Sequence, residues 1–315
     1  LQGRSVGGST TINWTTCFRT PERILKHWAD VHGIEGYSLE SLEPHFEAVE
    51  KRLSIHDWPK VNANENNRKL LEGCEKLGWE AKNLRRNTKG CADSGFCGLG
   101  CPVDAKQAMG VTYIPDALKS GMRLYSDVEA TKLHVEGKRI VRVEAKALDR
   151  ETNRASGATL EVSAKLTVVS GGAINSPALL IRSGLGDEGP VGKRTFLHPV
   201  VTMAARYSEE VEGFYGAPQS IGSHQFVDRG PEKIGFFLEV PPLQPVLASG
   251  GVSAMGIDQV KFMKELPYLG VLIALQVDGL LPGDEGGTVT PREQGRIALD
   301  YPISDALKDS FRVSH

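Results

Sequence analysis

Residues 3–14 of the chain are GRSVGGSTTINW, and this stretch carries the first indication of the fold. The pair Gly7-Gly8 has no Cβ, so its backbone can pass close to a bulky flat or phosphorylated ligand. Successive N–H groups in such a turn can also hold an anion. Because a glycine pair also suits an ordinary tight turn, the interpretation depends on the residues around it.

The composition is that of an ordinary globular protein. Of the 315 residues 40% are hydrophobic and 24% are charged, and 37 basic and 39 acidic side chains leave a net charge of −2. This balance gives no reason to expect nucleic acid as a partner. The most apolar stretch, residues 266–281, is interrupted by Pro267, Gln276 and Asp278. We therefore expect a buried strand or helix there and no transmembrane segment.

Periodicity predicts helices over residues 22–31 and 64–77, with Gly78 ending the second. Alternation of apolar and polar residues predicts a half-buried strand over residues 139–148. From about Val200 onward, short apolar runs separated by Pro and Gly predict an antiparallel sheet.

The continuous apolar run 166–169 predicts a strand covered on both faces. It leads through Gly171-Gly172 into a predicted short helix. We expect Asn175 or Ser176 to cap that helix, Pro177 to stand at its first position and Gly184 to lie past its end. Such an order of strand, glycine turn and helix can place a helix N-terminus against a phosphate or ribose.

Two of these stretches resemble the hallmark motifs of the glucose–methanol–choline (GMC) flavin oxidoreductases. Residues 3–21, with Asn13-Trp14 and Arg19-Thr20-Pro21, resemble the second glycine-rich motif, most closely in the long-chain alcohol oxidase and dehydrogenase branch. Residues 172–186 resemble the other motif, and residues 192–199 resemble the stretch that follows it. On both motifs, in the family's order, the chain is identified as a member.

The resemblance implies an FAD-binding domain that is α/β and Rossmann-like, only partly present, and interleaved with a substrate domain built on an antiparallel sheet. It implies FAD-domain segments at residues 1–20 and 116–200, a lid or substrate region at 21–115, and an incomplete substrate-binding domain at 201–315. The positions that approach FAD in the family correspond here to Gly7, Gly8, Ser9, Asn13, Trp14, Thr15, Ala130, Gly172 and Ala173. Among these, Ala130 would contact adenine through its backbone.

The implied reaction is oxidation of the CH–OH group of an alcohol or polyol, with hydride transfer to FAD and oxygen, a quinone or a cytochrome as electron acceptor. The family's catalytic His and its His or Asn partner are expected beyond residue 315, so none of the eight His residues is assigned that role. We accordingly expect an internal piece of a longer protein that is inactive and poorly soluble by itself, from a cytoplasmic or periplasmic enzyme.

The loop 87–110 contains Cys91, Cys97 and Cys101 at a spacing of Cys-x5-Cys-x3-Cys-Pro. Three thiolates among glycines suit a three-iron cluster, and the spacing resembles that of GMC-type dehydrogenase subunits that carry one. Reduced structural thiols, a disulfide, and zinc with Asp93 or Asp104 as fourth ligand stay open. Two other functions remain as alternatives to the flavoenzyme: an iron–sulfur electron-transfer or binding module without flavin, and an inactive truncated product.

Overall fold

The structure, a computed structural model, describes residues 3–186, 189–292 and 296–315. The helices of this part are α1 (Glu22–His32), α2 (Leu39–Arg52), α3 (Glu65–Leu77), α4 (Tyr113–Lys119), α5 (Gly172–Arg182), α6 (Pro245–Gly251), α7 (Ile257–Glu265) and α8 (Asp305–Ser314). Its strands are β1 (Thr16–Cys17), β2 (Ile55–Asp57), β3 (Lys82–Asn83), β4 (Arg85–Asn87), β5 (Val128–Glu136), β6 (Arg139–Leu148), β7 (Ala155–Val162), β8 (Val200–Arg206), β9 (Ile221–Ser223), β10 (Gly235–Glu239), β11 (Leu269–Val277), β12 (Thr288–Pro291) and β13 (Ile297–Asp300).

The largest sheet has five strands in the order β3-β9-β10-β11-β8, and each neighbouring pair is antiparallel. This confirms the antiparallel sheet predicted after Val200. Strand β11 is buried along most of its length, as predicted for the apolar stretch 266–281. Because side chains alternate between the faces of a strand, Phe236 and Leu238 point to one face of β10 and Phe237 and Glu239 to the other.

Helix α3 covers the first of these faces. Asn64 caps it, with its Oδ1 accepting a hydrogen bond from the N–H of Asn67 at 3.0 Å, and Gly78 ends it at φ 68°. The apolar side of α3 packs Cys74 into the core with Ile221 and Val240. The predicted helices over 22–31 and 64–77 are thus confirmed as α1 and α3. Because α3 packs on the five-stranded sheet and β3 pairs with β9, residues 64–83 pack together with strands that follow Val200.

A second, three-stranded sheet is the antiparallel meander β5-β6-β7. Its middle strand has the bounds predicted for residues 139–148. Helix α5 docks on β5, where Ser183 Oγ accepts a hydrogen bond from the N–H of Leu133 at 2.9 Å. The two small sheets are β1-β4-β2 and β12-β13. Every strand pairing in the described part is antiparallel, apart from one isolated parallel bridge between Ala63 and Ala217.

Two local predictions are wrong. Residues 166–169 do not form a strand, and Leu166 and Val168 are 80% and 75% exposed. A strand is stabilised by hydrogen bonds to its neighbours, and no described strand pairs with this run. Helix α5 begins at Gly172 instead of Pro177, so Pro177 lies inside the helix and Gly171, without a side-chain cap, precedes it. The predicted end is correct, since Gly184 follows at φ 75°.

The predicted combination of helices with antiparallel sheet is confirmed. The described residues contain no helix that is both long and apolar enough to cross a membrane. The domain boundaries at residues 20, 115 and 200 stay predictions, and Leu1 and Gln2 of the first segment lie outside the described residues.

Candidate cofactor site

A cavity of about 810 Å³ lies between the start of the chain, the meander and the N-terminus of α5. Gly3 and Arg4 of the glycine-rich stretch line it on one side. Ala130 of β5 lines another side, and residues 167–171 with Asn175 complete the wall. The structure therefore brings both sequence motifs and the predicted adenine-contacting residue to the border of one cavity.

The charges around this cavity favour an anionic ligand. Among its described lining residues the basic side chains are Arg4, Lys146, Arg154 and Arg182, whereas Glu129 is the one acid. Lys146 Nζ is paired with Glu129 Oε2 at 3.2 Å, and Arg4 and Arg154 add positive charge to the lining. The guanidinium group suits phosphate oxygens, and the N-terminus of α5 adds a partial positive charge. These arginines are the site residues that sequence reasoning missed. The only available signal was the position of Arg4 inside the glycine-rich stretch.

The glycine-rich stretch forms a single 3₁₀ turn over Gly8–Thr11. Gly7 has φ 93°, a left-handed conformation that favours glycine. At Gly3 a Cβ would lie 2.5 Å from the carbonyl oxygen of Gly8, so the segment folds back on itself where only hydrogen fits. The Gly3 N–H is 3.3 Å from Ser9 Oγ, which accepts its hydrogen bond. Residues 3–9 thus form a tight, glycine-dependent turn at the edge of the cavity.

The following residues, Asn13 to Thr15, are held from the side of the cysteine loop. The ring of Trp14 lies so close to Gly98 that a Cβ there would be 2.2 Å from the indole. Thr15 is fully buried at φ 75°. Asn13 Oδ1 is buried without a hydrogen-bond partner among the described residues. Because such an atom carries a desolvation cost, it is suited to accept a hydrogen bond from a bound cofactor.

The predicted cofactor residues fall into two groups. Ala130 lines the cavity, and Gly172 and Ala173 are the first residues of α5, next to the lining residue Gly171. The other group extends from the cavity along the glycine-rich stretch toward the cysteine loop and comprises Gly7, Gly8, Ser9, Asn13, Trp14 and Thr15. Their contacts with a cofactor stay predictions. The whole arrangement nevertheless fits a long, anionic, partly flat ligand.

Arg19 of the Arg-Thr-Pro element attaches the segment that follows residues 7–15, the cofactor stretch, to helix α2. Its Nε donates to Glu50 Oε1 at 2.7 Å and its Nη1 donates to Glu43 at 2.8 Å. Arg85 of β4 also donates to Glu50. Hydrogen bonds from Arg19 and Arg85 hold the pKa of Glu50 at about 2, so this carboxylate stays ionised. The segment 16–21 is therefore bound to both α2 and β4.

The cysteines of the loop are not gathered into a metal-binding group within the described residues. In the described ranges no group of three or more His, Cys, Asp or Glu side chains could hold a metal ion, and all five cysteines are free thiols. The predicted iron–sulfur ligation by Cys91, Cys97 and Cys101 is therefore not supported, and neither is zinc or a disulfide. Of the alternatives considered from the sequence, reduced structural thiols fit best.

Two thiols of the loop lie in environments that change their pKa. Cys97 is buried, and Arg86 Nη2 lies 3.5 Å from its Sγ. Burial raises the pKa of both Cys97 and Cys91, although the nearby Arg86 opposes the rise. A raised pKa leaves a thiol that holds no metal protonated at neutral pH. Of the three thiols, Cys97 is the buried one, and it packs beside Arg86.

A buried polar network links Thr16, directly after the cofactor stretch, to the five-stranded sheet. Thr16 Oγ1 donates to Gln219 Oε1 at 3.1 Å, and Gln219 Nε2 donates to Glu239 Oε1. Fully buried Arg86 donates to the carbonyl oxygens of Pro218 and Gln219. Burial raises the pKa of Glu239 to about 8, against the opposing effects of Arg86 and Gln219. No sequence pattern indicated this network, because its members come from four separate segments.

Burial affects the titration of two histidines in the described residues. Burial lowers the pKa of both His198 and His224. The His224 ring lies 5.4 Å from the Phe18 ring and 4.6 Å from the Phe237 ring, so it packs among aromatic side chains. That no histidine of this chain is the catalytic base stays a prediction.

Comparison with known proteins establishes the class. The family model described as GMC oxidoreductase matches residues 1–200, which is more than half of the chain. The chain belongs to the GMC oxidoreductase family.

Individual relatives extend this similarity over the remaining residues. An uncharacterized GMC-type oxidoreductase of Mycobacterium tuberculosis is 28% identical over 312 residues, covering 99% of this chain and 47% of that protein. A long-chain-alcohol oxidase of Arabidopsis thaliana is 29% identical over 337 residues, covering 100% of this chain and 43% of the relative. The chain thus spans about half the length of the curated relatives it matches.

A solved structure confirms the fold. Pyridoxine 4-oxidase from Mesorbium loti superimposes with a TM-score of 0.71 at 17% identity, covering 99% of this chain and 64% of that chain. The predicted fold class, a partial FAD-binding domain joined to an antiparallel substrate sheet, is consistent with this match. At this identity the likeness concerns the fold alone.

Proposed function

We propose that this chain forms part of an FAD-dependent oxidoreductase that oxidises the CH–OH group of an alcohol. The observation that carries the proposal is the cavity of about 810 Å³ that is bordered by both family motifs and lined by Arg4 and Arg154. When bound, FAD would accept the hydride from the alcohol carbon.

The chain's own residues would bind and orient the cofactor. Arg4 and the N-terminus of α5 suit the diphosphate, since both favour negative charge. The backbone of Ala130 would border the adenine. Asn13 would use its unpartnered Oδ1 to accept a hydrogen bond from the flavin end. Buried Thr15 and the docked ring of Trp14 would exclude water on that side.

An apolar alcohol is the proposed substrate class. Phe237 and Leu275 are paired across β10 and β11, and Val200 of β8 is paired with Leu275, so the three share one face of the sheet. Phe18, which follows the cofactor stretch by three residues, is 55% exposed and packs edge-on against Phe237 at 5.5 Å. The long-chain-alcohol oxidases among the relatives support the same substrate class.

The test uses protein purified from its complete coding sequence. Visible absorption of the protein and chromatography of the released cofactor would identify FAD. Anaerobic mixing with primary alcohols of increasing chain length would then bleach the flavin band fastest for the longer chains. Reoxidation by oxygen, a quinone or a cytochrome would identify the acceptor. Protein that neither contains nor binds FAD would refute the proposal.

Arg4→Gln tests the cofactor cavity directly. We expect it to weaken FAD binding about tenfold, because one charge-assisted contact to phosphate is lost. Arg123→Gln is the matched control, since Arg123 is exposed and does not line the cavity. Equal FAD affinity of the two variants in a fluorescence titration would contradict the assignment of Arg4.

A further inference from the structure

Lys106 is a buried lysine whose ammonium contacts only backbone. Its Nζ donates to the carbonyl oxygen of Thr11 at 2.6 Å, to that of Asn13 at 3.1 Å and to that of Cys97 at 2.6 Å. The residue is 4% exposed, and no acidic side chain of the described residues forms an ion pair with it. The three acceptors match the three donors of an ammonium group.

Burying the Lys106 ammonium has an energetic cost. A buried cation without an anion must recover its lost hydration through hydrogen bonds. Desolvation indeed lowers the pKa of Lys106. Three carbonyl dipoles directed at one charge provide strong, geometrically defined bonds in return. Removing the ammonium would leave three carbonyl groups that face one another without a donor.

The acceptors belong to two segments that are far apart in sequence. Thr11 and Asn13 lie in the cofactor stretch, directly before Trp14, whereas Cys97 lies in the cysteine loop. Further contacts join these segments on both sides of the ammonium. The Met109 N–H donates to Thr10 Oγ1 at 3.1 Å, and Trp14 packs on Gly98. The loop therefore contacts the cofactor stretch along residues 10–14, with Lys106 at the centre.

The geometry points to a positioning role for Lys106: its ammonium fixes the backbone of residues 11–13 and attaches the cysteine loop to it, so that the loop acts as a clamp on the flavin-binding stretch. The inference rests on the proposed function, because the cofactor in question is the proposed FAD. The inference also gives the cysteine loop a structural role in place of the metal binding that is not supported.

The experiment compares Lys106→Met with Lys89→Met in protein purified from the complete coding sequence. Methionine keeps the length of the side chain but donates no hydrogen bond. Lys89 lies in the same loop and is exposed, and its side chain forms no hydrogen bond or ion pair within the described residues. Two quantities are measured: the FAD affinity of the apoprotein by titration, and the rate at which a disulfide reagent modifies Cys97, followed by peptide mass spectrometry.

We expect Lys106→Met to weaken FAD binding by about tenfold or more and to accelerate modification of Cys97 by a similar factor, since local opening exposes buried thiols. Lys89→Met should match the wild type in both. The proposal requires both changes, so either of them without the other overturns it, as does their joint absence. If the wild type itself binds no FAD, the proposed function fails, while the rate at Cys97 still reports whether Lys106 holds the loop.

Lys106→Gln provides a second variant, because its amide keeps two donors. We expect intermediate FAD affinity and intermediate protection of Cys97. If neither variant at Lys106 folds cooperatively while Lys89→Met does, Lys106 is a determinant of overall stability and the positioning role is overturned.

Discussion

The two family motifs end up in contrasting environments. Residues 7–16 are held by the buried ammonium of Lys106, by the contact between Trp14 and Gly98, and by pairing of β1 with β4. Residues 163–171, which lead into the second motif, have no strand pairing, and Leu166 and Val168 are 80% and 75% exposed. Gly3 and Arg4 of the first motif and residues 167–171 before the second motif line the same cavity. Residues 7–16 and 163–171 differ in how well they are covered. The first are held by contacts within the described residues, whereas the second are mostly exposed.

The difference shows what each kind of sequence pattern encodes. A glycine-rich turn is a local structure, because its backbone conformation and short-range hydrogen bonds arise within a few residues. A continuous apolar run encodes only a tendency to be buried. Whether it becomes a strand depends on neighbours that the run does not specify. The first region can be tested by loosening its contacts, and the second by changing side chains that make few.

The largest effect should come from Glu239. It belongs to the buried polar network that links Thr16, next to the cofactor stretch, to the five-stranded sheet. Its pKa is raised to about 8 by burial, above the ordinary value of 4.5. The folded state therefore retains a proton that the unfolded chain releases. The stabilising contribution is fully present below pH 4.5 and is lost as the pH rises to 8, with a slope of about 1 kcal/mol per pH unit.

Glu239→Gln should abolish this component, because the amide keeps the acceptor for Gln219 and does not ionise. Urea unfolding of wild type and variant at pH 5, 6, 7 and 8 measures the difference between the two free energies of unfolding. We expect the variant to gain stability relative to the wild type as the pH rises. Glu151→Gln, at an exposed position, is the control. Parallel curves for all three proteins would show that Glu239 titrates normally.

A smaller effect is expected at Gly98, where the cysteine loop meets Trp14. A Cβ at residue 98 would lie 2.2 Å from the indole ring, so Gly98→Ala must displace either the loop or the ring. Such overpacking costs about 2 kcal/mol. Gly110→Ala is the matched control, because nothing lies within 4 Å of its Cβ position. Denaturant unfolding measures the cost, and a shift of the Trp14 emission locates it. Equal stability of the two variants would argue against the docking of this loop.

Sequence reasoning succeeded wherever the structure depends on local rules. Helices α1 and α3, strand β6 and the end of α5 at Gly184 follow from periodicity and from capping residues. The start predicted for α5 at Pro177 is wrong. Five residues precede it in the helix, and a side-chain cap is absent.

The candidate site was predictable only in part. The glycine-rich stretch and Ala130 were found through a resemblance, whereas Arg154 and Lys106 carry no pattern of their own. Their roles arise from where the meander and the cysteine loop fold in three dimensions. The spacing of Cys91, Cys97 and Cys101 suggested a metal. Spacing alone does not determine whether thiols converge, and here burial raises the pKa of Cys97 although Arg86 opposes the rise.

The smallest effect is expected in the uncovered region and sharpens the contrast with the docked one. Leu166→Ser and Val168→Ser should each change the free energy of unfolding of the 315-residue chain by less than about 0.5 kcal/mol, as is usual for exposed side chains. Leu84→Ala is the reference for a buried position, since Leu84 is 1% exposed, and should cost about 3 kcal/mol. The same substitutions in protein made from the complete coding sequence provide the decisive comparison. A cost above about 1 kcal/mol there, without a cost in the 315-residue chain, would mean that further residues cover this run. Equal and negligible costs in both would leave residues 166–169 as an exposed connection into α5.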